Sequence, residues 1–578
     1  MAARSARPVV PAVHRLRRDV PMREWTVLAQ DPAVVAAGGK ALTTRVTLPA
    51  ERLEAGPKGH RVHVVDFDTS ADTFYRPRDG DPAGDAYRDA TDIDKLVADP
   101  HFHQQNVYGV TMATLGLFER ALGRPVSWAF DSHQLKVAPH AFADANAFYS
   151  RASESLCFGY FAGHRGRTIH TCLSHDIIAH ETTHALIDGL RGSYLHPSSS
   201  DQAAFHEGFS DVVALLTVLQ SPELVSQSLA GVVDRNGRVP PSQLTCDALA
   251  QNALLKLAEQ FGDEIGEVRG HPLRHSVELP PSRRWLGDPE FDEPHRRGEI
   301  LSAAMLRAFL DVWVARLEPM GLDRGLSFNR SVVAEEGASA AKQLARVAVR
   351  ALDYLPPVDL GFSDFLSGLL TADAQLFPDD TRYGYRACLR RAFASYGIEP
   401  ASDEAGEGMW CHPEADDFRY EGTHFELMRT DPDTVYRFVW ENRAALQLDG
   451  DAYTRVTALR PSLRIGEDGC ALRENVVEYV QTLKVWSNEL KSIGIRKPDG
   501  MGSQQLVTLY GGGTLIFDEY GRLKFHIGTG VASPRQSDRL ESLWRRGDLD
   551  RTSAARGNFA QMHRNRGLRR VALPRERW

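Results

Sequence analysis

The run SHDIIAHETTHALIDGL, residues 174–190, constrains this chain more than any other stretch. Its apolar spacing predicts a helix that Ser174 caps and that Gly189 and Gly192 bring to an end. Within it His180 and His184 lie one turn apart on one face, with Glu181 between them. The flanks Ile177, Ile178, Ala185, Leu186 and Ile187 are apolar, so the helix is expected to be buried. Two buried imidazoles beside a carboxylate need partners, because an unpaired polar group is costly away from water. An exposed polar helix face would show the same HExxH pattern, but those flanks argue against one. The spacing suits two ligands on a single zinc ion, with Glu181 directed at the ion's water.

A catalytic zinc needs a third protein ligand and an open position. The segment AFHEGFSDVVALL, residues 204–216, offers Glu207 on a second helix, with Asp211 one turn further along the same face. Asp211 is placed to bond the outer nitrogen of a ligand histidine and fix its tautomer. Phe205, Phe209, Val212, Val213, Leu215 and Leu216 surround these acids and leave them few wet directions.

HExxH followed by Glu-x-x-x-Asp, with Glu207 standing 23 positions after His184, resembles the gluzincins, specifically the thermolysin-like and fungalysin-like metallopeptidases. Asn146-Ala147-Phe148-Tyr149 resembles the edge strand with which thermolysin-like enzymes pair substrate backbone, which implies substrate-binding roles for Asn146 and Ala147. Pro272-Leu273-Arg274-His275-Ser276 is similar to the segment whose arginine binds a substrate carbonyl, here Arg274. His295-Arg296-Arg297-Gly298-Glu299 resembles the fungalysin His-x-x-Gly-Glu motif, whose histidine stabilises the transition state; this implies a catalytic His295. The likeness spans roughly 100–398. It implies an α+β, two-lobed fold with a β-rich N-terminal lobe, an α-helical C-terminal lobe and the zinc site between them. The chain also departs from the family. Leu195 stands eleven residues after His184, where the family places a tyrosine, so Tyr194 beside it is the candidate oxyanion donor. Val218 stands where a calcium site wants a carboxylate, so calcium is not carried over, and Asp176 is expected instead to favour the helix start. The family is usually secreted with a signal and a long pro-segment; neither is expected here, and the location expected is cytoplasmic.

A chain of 578 residues has room for about three or four units of about 150 residues each. Residues 1–25, rich in arginine and proline, read as a flexible basic lead-in. Residues 26–100 read as β-rich, with runs such as Arg61–Phe67, and 101–398 as the peptidase-like region, helical over stretches that include Val107–Leu122, Asp176–Leu190, Ala203–Leu219 and Gly298–Leu317. The Gly/Asp/Glu-rich stretch Glu399–Gly408 marks a boundary. Beyond it, 409–535 reads as an additional α+β domain of unknown role, in which Leu506–Gly528 is strand-like and Leu509–Gly528 forms a hairpin turning at Asp518–Gly521. Gly511, Gly512 and Gly513 precede a strand and no GK[ST], so they read as structural. Residues 536–578 form a basic tail.

Lys and Arg total 68 against 76 Asp and Glu, a net charge of −8 that does not supply the basic face of a dedicated nucleic-acid binder. Six widely spaced cysteines without a CxxC pair indicate neither a disulfide framework nor a thiolate zinc site, and suit a reducing compartment. No apolar run reaches about 18 residues, so no membrane partner is expected.

The expected chemistry is hydrolysis of peptide bonds in protein or peptide substrates. One catalytic zinc ion on His180, His184 and Glu207 would activate water, with Glu181 as general base. Two alternatives stand beside it. A gluzincin aminopeptidase would carry a Gly-x-Met-Glu-Asn motif, which the sequence lacks. A weak or inactive peptidase-fold protein with a binding or regulatory role would be expected to have lost Glu181 or a ligand, and all are present. Residues 400–578 are open to partner docking.

Overall fold

The computed structural model describes residues 21–29, 43–163, 167–195, 198–254, 276–402, 406–465, 471–547 and 549. Most of the basic lead-in, Arg274 and the tail from 550 lie outside these residues. The described chain is mixed α+β.

Helix α1 (Pro100–Leu122) is organised by its own termini. Asp99 accepts from the His101 N–H at 2.9 Å, Pro100 occupies the first turn, where its missing N–H costs nothing, and Gly123 closes the helix in the left-handed region at φ 69°. The helix begins well before Val107 because its first turns bury polar residues that apolar spacing does not register. Each of these finds a partner, as buried polar groups must. The Gln104 amide donates to Asp66 at 3.0 Å and the Gln105 amide to the Thr26 carbonyl at 3.0 Å. Asn106 accepts from the Leu28 N–H at 2.9 Å and donates to the Cys172 carbonyl at 3.0 Å. In this way α1 fastens strand β1 (Met22–Leu28), which pairs antiparallel with β2 (Thr43–Pro49), to the segment leading into the HETTH helix.

A second sheet runs in the order β3 (Val62–Val64), β4 (Leu135–Phe142), β6 (Ser155–Ala162) and β5 (Ala147–Ser150). The first three are parallel, β5 is antiparallel at the edge, and β7 (Thr168–His170) pairs with the far end of β6. Strand structure therefore continues past residue 100 to His170, and the run read at Arg61–Phe67 contracts to Val62–Val64.

Among the described residues up to 400, six helices longer than ten residues follow: α2 (His175–Leu190), α3 (Ser200–Val218), α4 (Pro294–Leu317), α5 (Arg330–Ala351), α6 (Phe362–Leu376) and α7 (Tyr385–Ser395). They share one continuous hydrophobic core with the preceding strands. Helix α2 ends at Leu190, between Gly189 and Gly192, as its sequence predicts. A Cβ on Gly189 would lie 2.0 Å from the Ser127 carbonyl oxygen, so this glycine also admits a close backbone approach. No single described helix is long and apolar enough to cross a membrane.

Strands β8 (Tyr453–Ile465), β9 (Ala471–Trp486), β10 (Leu506–Phe517) and β11 (Leu523–Thr529) form an antiparallel meander. The β10–β11 hairpin turns at Asp518–Gly521 as its sequence predicts, with the Gly521 N–H donating to the Asp518 carbonyl at 3.1 Å. Alternation along the strands sends successive residues to opposite faces. Val476, Ile516, Phe525 and Ile527 enter the main core, whereas Val477, Leu515 and Phe517 meet Val435, Phe438 and Val439 of α8 (Pro432–Glu441). Covered on both faces, this sheet is continuous with the helical body. Gly512 is structural as expected, since a Cβ there would lie 2.3 Å from the Tyr479 carbonyl oxygen.

Buried charge pins the same junction. Arg350 of α5 donates to Glu474 of β9 at 2.7 Å, and Arg464 and Lys524 meet the same carboxylate. Burial pushes the Glu474 carboxyl up, but Arg464, Arg350 and Lys524 outweigh it and bring it down to about 2. A depressed carboxyl contributes stability that is fully present above its ordinary 4.5 and is lost as pH falls through about 2. Glu474→Gln should therefore cost roughly 3–5 kcal/mol near neutral pH, because it takes the carboxylate from buried Arg464 and leaves buried Arg350 with only the Asp353 carboxylate. In urea unfolding the gap to wild type should narrow as pH is lowered from 4.5 towards 2; a gap that ignores pH would contradict this account.

Candidate metal centre

Helix α2 delivers the two histidines as its spacing predicts. His180 and His184 are buried and their Nε2 atoms lie 2.9 Å apart. Glu207 of α3, also buried, brings Oε2 to 3.6 Å from His180 Nε2 and Oε1 to 3.7 Å from His184 Nε2. One donor atom from each of the three falls within 4.8 Å of the others, so this group can hold a metal ion.

The outer nitrogens explain which atoms face inward. Asp211 Oδ1 lies 2.8 Å from His180 Nδ1, so the imidazole donates there and turns its Nε2 towards His184 and Glu207. His184 Nδ1 lies 3.3 Å from His206 Nδ1 and 3.4 Å from Ser210 Oγ. Burial lowers the affinity of His180 for a proton, yet the hydrogen bonds and charge of Asp211 and Glu207 override it and raise the imidazole to about 9. This pocket of acids and nitrogen lone pairs favours a cation, and its donor set of two imidazoles and a carboxylate fits zinc.

Glu181 is fully buried, and its Oε2 accepts the Tyr149 N–H at 3.0 Å. The edge strand β5 therefore runs beside α2. Asp188, two turns beyond Glu181, holds the same end of β5 by accepting from the Tyr149 hydroxyl at 2.9 Å and from Arg151 Nε at 2.7 Å. Asn146 and Ala147 are buried at the start of this strand, where Ala147 pairs with Phe158.

His295 stands in the first turn of α4, with Nε2 3.3 Å from Glu207 Oε2 and Nδ1 2.6 Å from Glu293. Two glycines make this proximity possible. A Cβ on Gly298 would lie 2.9 Å from the Gly208 N, and a Cβ on Gly208 would lie 2.7 Å from the Gly298 carbonyl oxygen. Helices α3 and α4 thus touch backbone to backbone one residue after Glu207 and three after His295. Glu299 is buried and pairs with Arg296.

Tyr194 is not brought into this group. The short turn Gly192–Leu195 directs it into the core, where its buried hydroxyl donates to the Pro356 carbonyl at 2.7 Å and its ring meets Phe205 edge-on. Arg274 falls outside the described residues. Sequence reasoning missed His206, Ser210 and Glu293, and gave Tyr149 no contact with Glu181 or Asp188. Only Glu293 carried a local signal, as an acid at the N-cap before Pro294.

No protein-family model matches this chain, and no curated protein matches it.

Because Asp211 and Glu207 hold the His180 proton up to about 9, a zinc ion taken by this group would have to displace that proton, and acid should weaken its binding. In competition titrations, apparent zinc affinity should rise with pH and level off near 9. Asp211→Asn should level off at lower pH and lose about 10- to 100-fold in limiting affinity. An unchanged pH profile in that variant would remove Asp211 from the role assigned to it.

Proposed function

We propose that this chain is a zinc-dependent endopeptidase of the gluzincin type, with a two-lobed thermolysin-like arrangement around its site. The observation that carries the reading is the position of Glu181. Its carboxylate sits one residue from His180 on the helix that presents both imidazoles, and it reaches the backbone of the terminal strand β5 at 3.0 Å. A base, a set of metal donors and an extended strand edge suited to a peptide backbone therefore share one place.

Zinc held by His180, His184 and Glu207 would supply Lewis acidity, polarising a substrate carbonyl and bringing the pKa of water towards about 7. Glu181 takes the proton of the attacking water and returns it to the leaving amine, a general base and acid contribution of roughly 10²- to 10⁴-fold. Asp211 orients His180, and Glu293 orients His295 through its Nδ1. His295 then presents Nε2 to the site as the donor for charge that develops on the carbonyl oxygen, worth roughly 3–4 kcal/mol when preorganised. Asn146 and Ala147 position the substrate backbone along β5. Protein and peptide substrates are accordingly the partners proposed, and the cell interior the place of action.

The deciding experiment compares wild type with Glu181→Gln on an unfolded protein substrate. The variant should keep the metal held by His180, His184 and Glu207 and lose cleavage, whereas cleavage at the wild-type rate would sink the mechanism. Chelation should silence the wild type and zinc should restore it.

Tyr194→Phe separates this site from the family pattern. It should lower stability by roughly 1–3 kcal/mol by leaving the Pro356 carbonyl without its donor. Turnover by the folded variant should match wild type; a large fall in kcat at unchanged stability would return Tyr194 to the chemistry.

A further inference from the structure

A second cluster of metal-type donors lies apart from the first. His103 of α1, His140 of β4, His170 at the end of β7 and Cys172 just before α2 each offer one atom, all within 4.8 Å of one another. His103, His140 and Cys172 are buried and His170 is half-buried.

The hydrogen bonds around this cluster decide which atoms face its centre. His103 Nε2 lies 2.8 Å from the Val97 carbonyl oxygen, which can only accept, so that nitrogen carries the proton. His140 Nδ1 lies 2.9 Å and 3.0 Å from the two oxygens of Asp66. Asp66 is held as an acceptor by the His140 N–H at 3.2 Å and by the Gln104 amide at 3.0 Å, so His140 Nδ1 also carries a proton. The inner nitrogens, His103 Nδ1 and His140 Nε2, are then both lone-pair atoms, yet they face each other at 2.7 Å. Two acceptors at that distance repel unless a positive charge is shared between them. His170 brings a third imidazole whose Nδ1 is buried with no hydrogen-bond partner among the described residues, and Cys172 brings a fully buried thiol in no disulfide.

We infer that His103, His140, His170 and Cys172 form a second, structural zinc site. Three imidazoles and one thiolate fill a tetrahedral shell without an open position, the mark of a structural rather than a catalytic site. In such a shell donors stand roughly 3.3–3.6 Å apart, so the ion would spread the two inner nitrogens and draw the remaining donors in. Asp66 and the Val97 carbonyl are the outer acceptors that fix the two tautomers, as carboxylates and carbonyls do behind zinc-bound histidines. The ion would tie α1, β4 and β7 to the entry of α2, and so brace the helix that carries His180 and His184. The Cys172 thiol releases its proton to solvent on binding, which balances the charge of the thiolate formed. The absence of a CxxC pair hid this site, because its donors are gathered from four separate elements.

Two thiolate-sensitive measurements test the assignment on the full chain, and neither depends on peptidase activity. First, protein purified without chelator should hold about two zinc ions per chain, falling to about one in His184→Ala and in Cys172→Ser. Second, replacing zinc by cobalt should produce a near-ultraviolet thiolate-to-cobalt charge-transfer band. The group of His180, His184 and Glu207 has no sulfur and has no such band to give. The band should persist in His184→Ala and vanish in Cys172→Ser, and His140→Gln should weaken it even if Cys172→Ser does not fold. Cobalt-loaded wild type without the band, or a band that survives Cys172→Ser, overturns the site. If the peptidase reading fails while this one holds, wild type would retain one zinc and the sulfur band.

Discussion

The backbone contact between Gly208 and Gly298 is the constraint on which the candidate centre depends. Helices normally approach no closer than about 8–10 Å because their side chains intervene, but here each glycine leaves space that a Cβ would fill. Glu207 and His295 stand next to this contact on their own helices, so the approach that seats α4 on α3 also sets the distance between a carboxylate and an imidazole. The Ser302 hydroxyl extends the contact by donating to the Gly208 carbonyl at 3.2 Å. The metal donors of α2 meet Glu207 because α2 packs on α3 in turn.

Around that contact, buried acids are answered by neighbouring donors. Glu181 accepts from Tyr149, Asp188 from Tyr149 and Arg151, and Asp211 meets His180. The same logic joins the last sheet to the helices. Arg191, immediately after α2, donates to Glu478 of β9 at 2.5 Å, and Thr514 of β10 donates to the Leu355 carbonyl at 2.6 Å. Because one face of that sheet completes the main core, residues beyond 400 support the end of the HETTH helix directly. A truncation near 398 would therefore expose Val476's neighbours in that core rather than release a separate module.

Much of this was legible in the sequence because it is local. A period near 3.6 predicts α2, α3 and α4, and the i, i+4 rule places His180 beside His184 and Glu207 beside Asp211 without knowledge of any other element. The hairpin at Asp518–Gly521 is equally local. Misreadings arose where burial of polar residues or contact with a distant backbone took over. The polar first turns of α1 are invisible to an apolar pattern, and nothing local to Gly189 shows the Ser127 carbonyl packed against it.

The sequence by itself determined the helices and the two donor pairs, since a regular backbone fixes how neighbours in the chain share a face. Only the tertiary structure decided which pairs meet. It set Glu207 between two imidazoles and a third histidine, turned Tyr194 into the core, laid β5 against Glu181, and gathered His103 and His140 from distant elements onto the neighbours His170 and Cys172. Spacing along the chain carries no information about such meetings, because they follow from which apolar faces are buried against each other and from the acceptors that each buried imidazole finds.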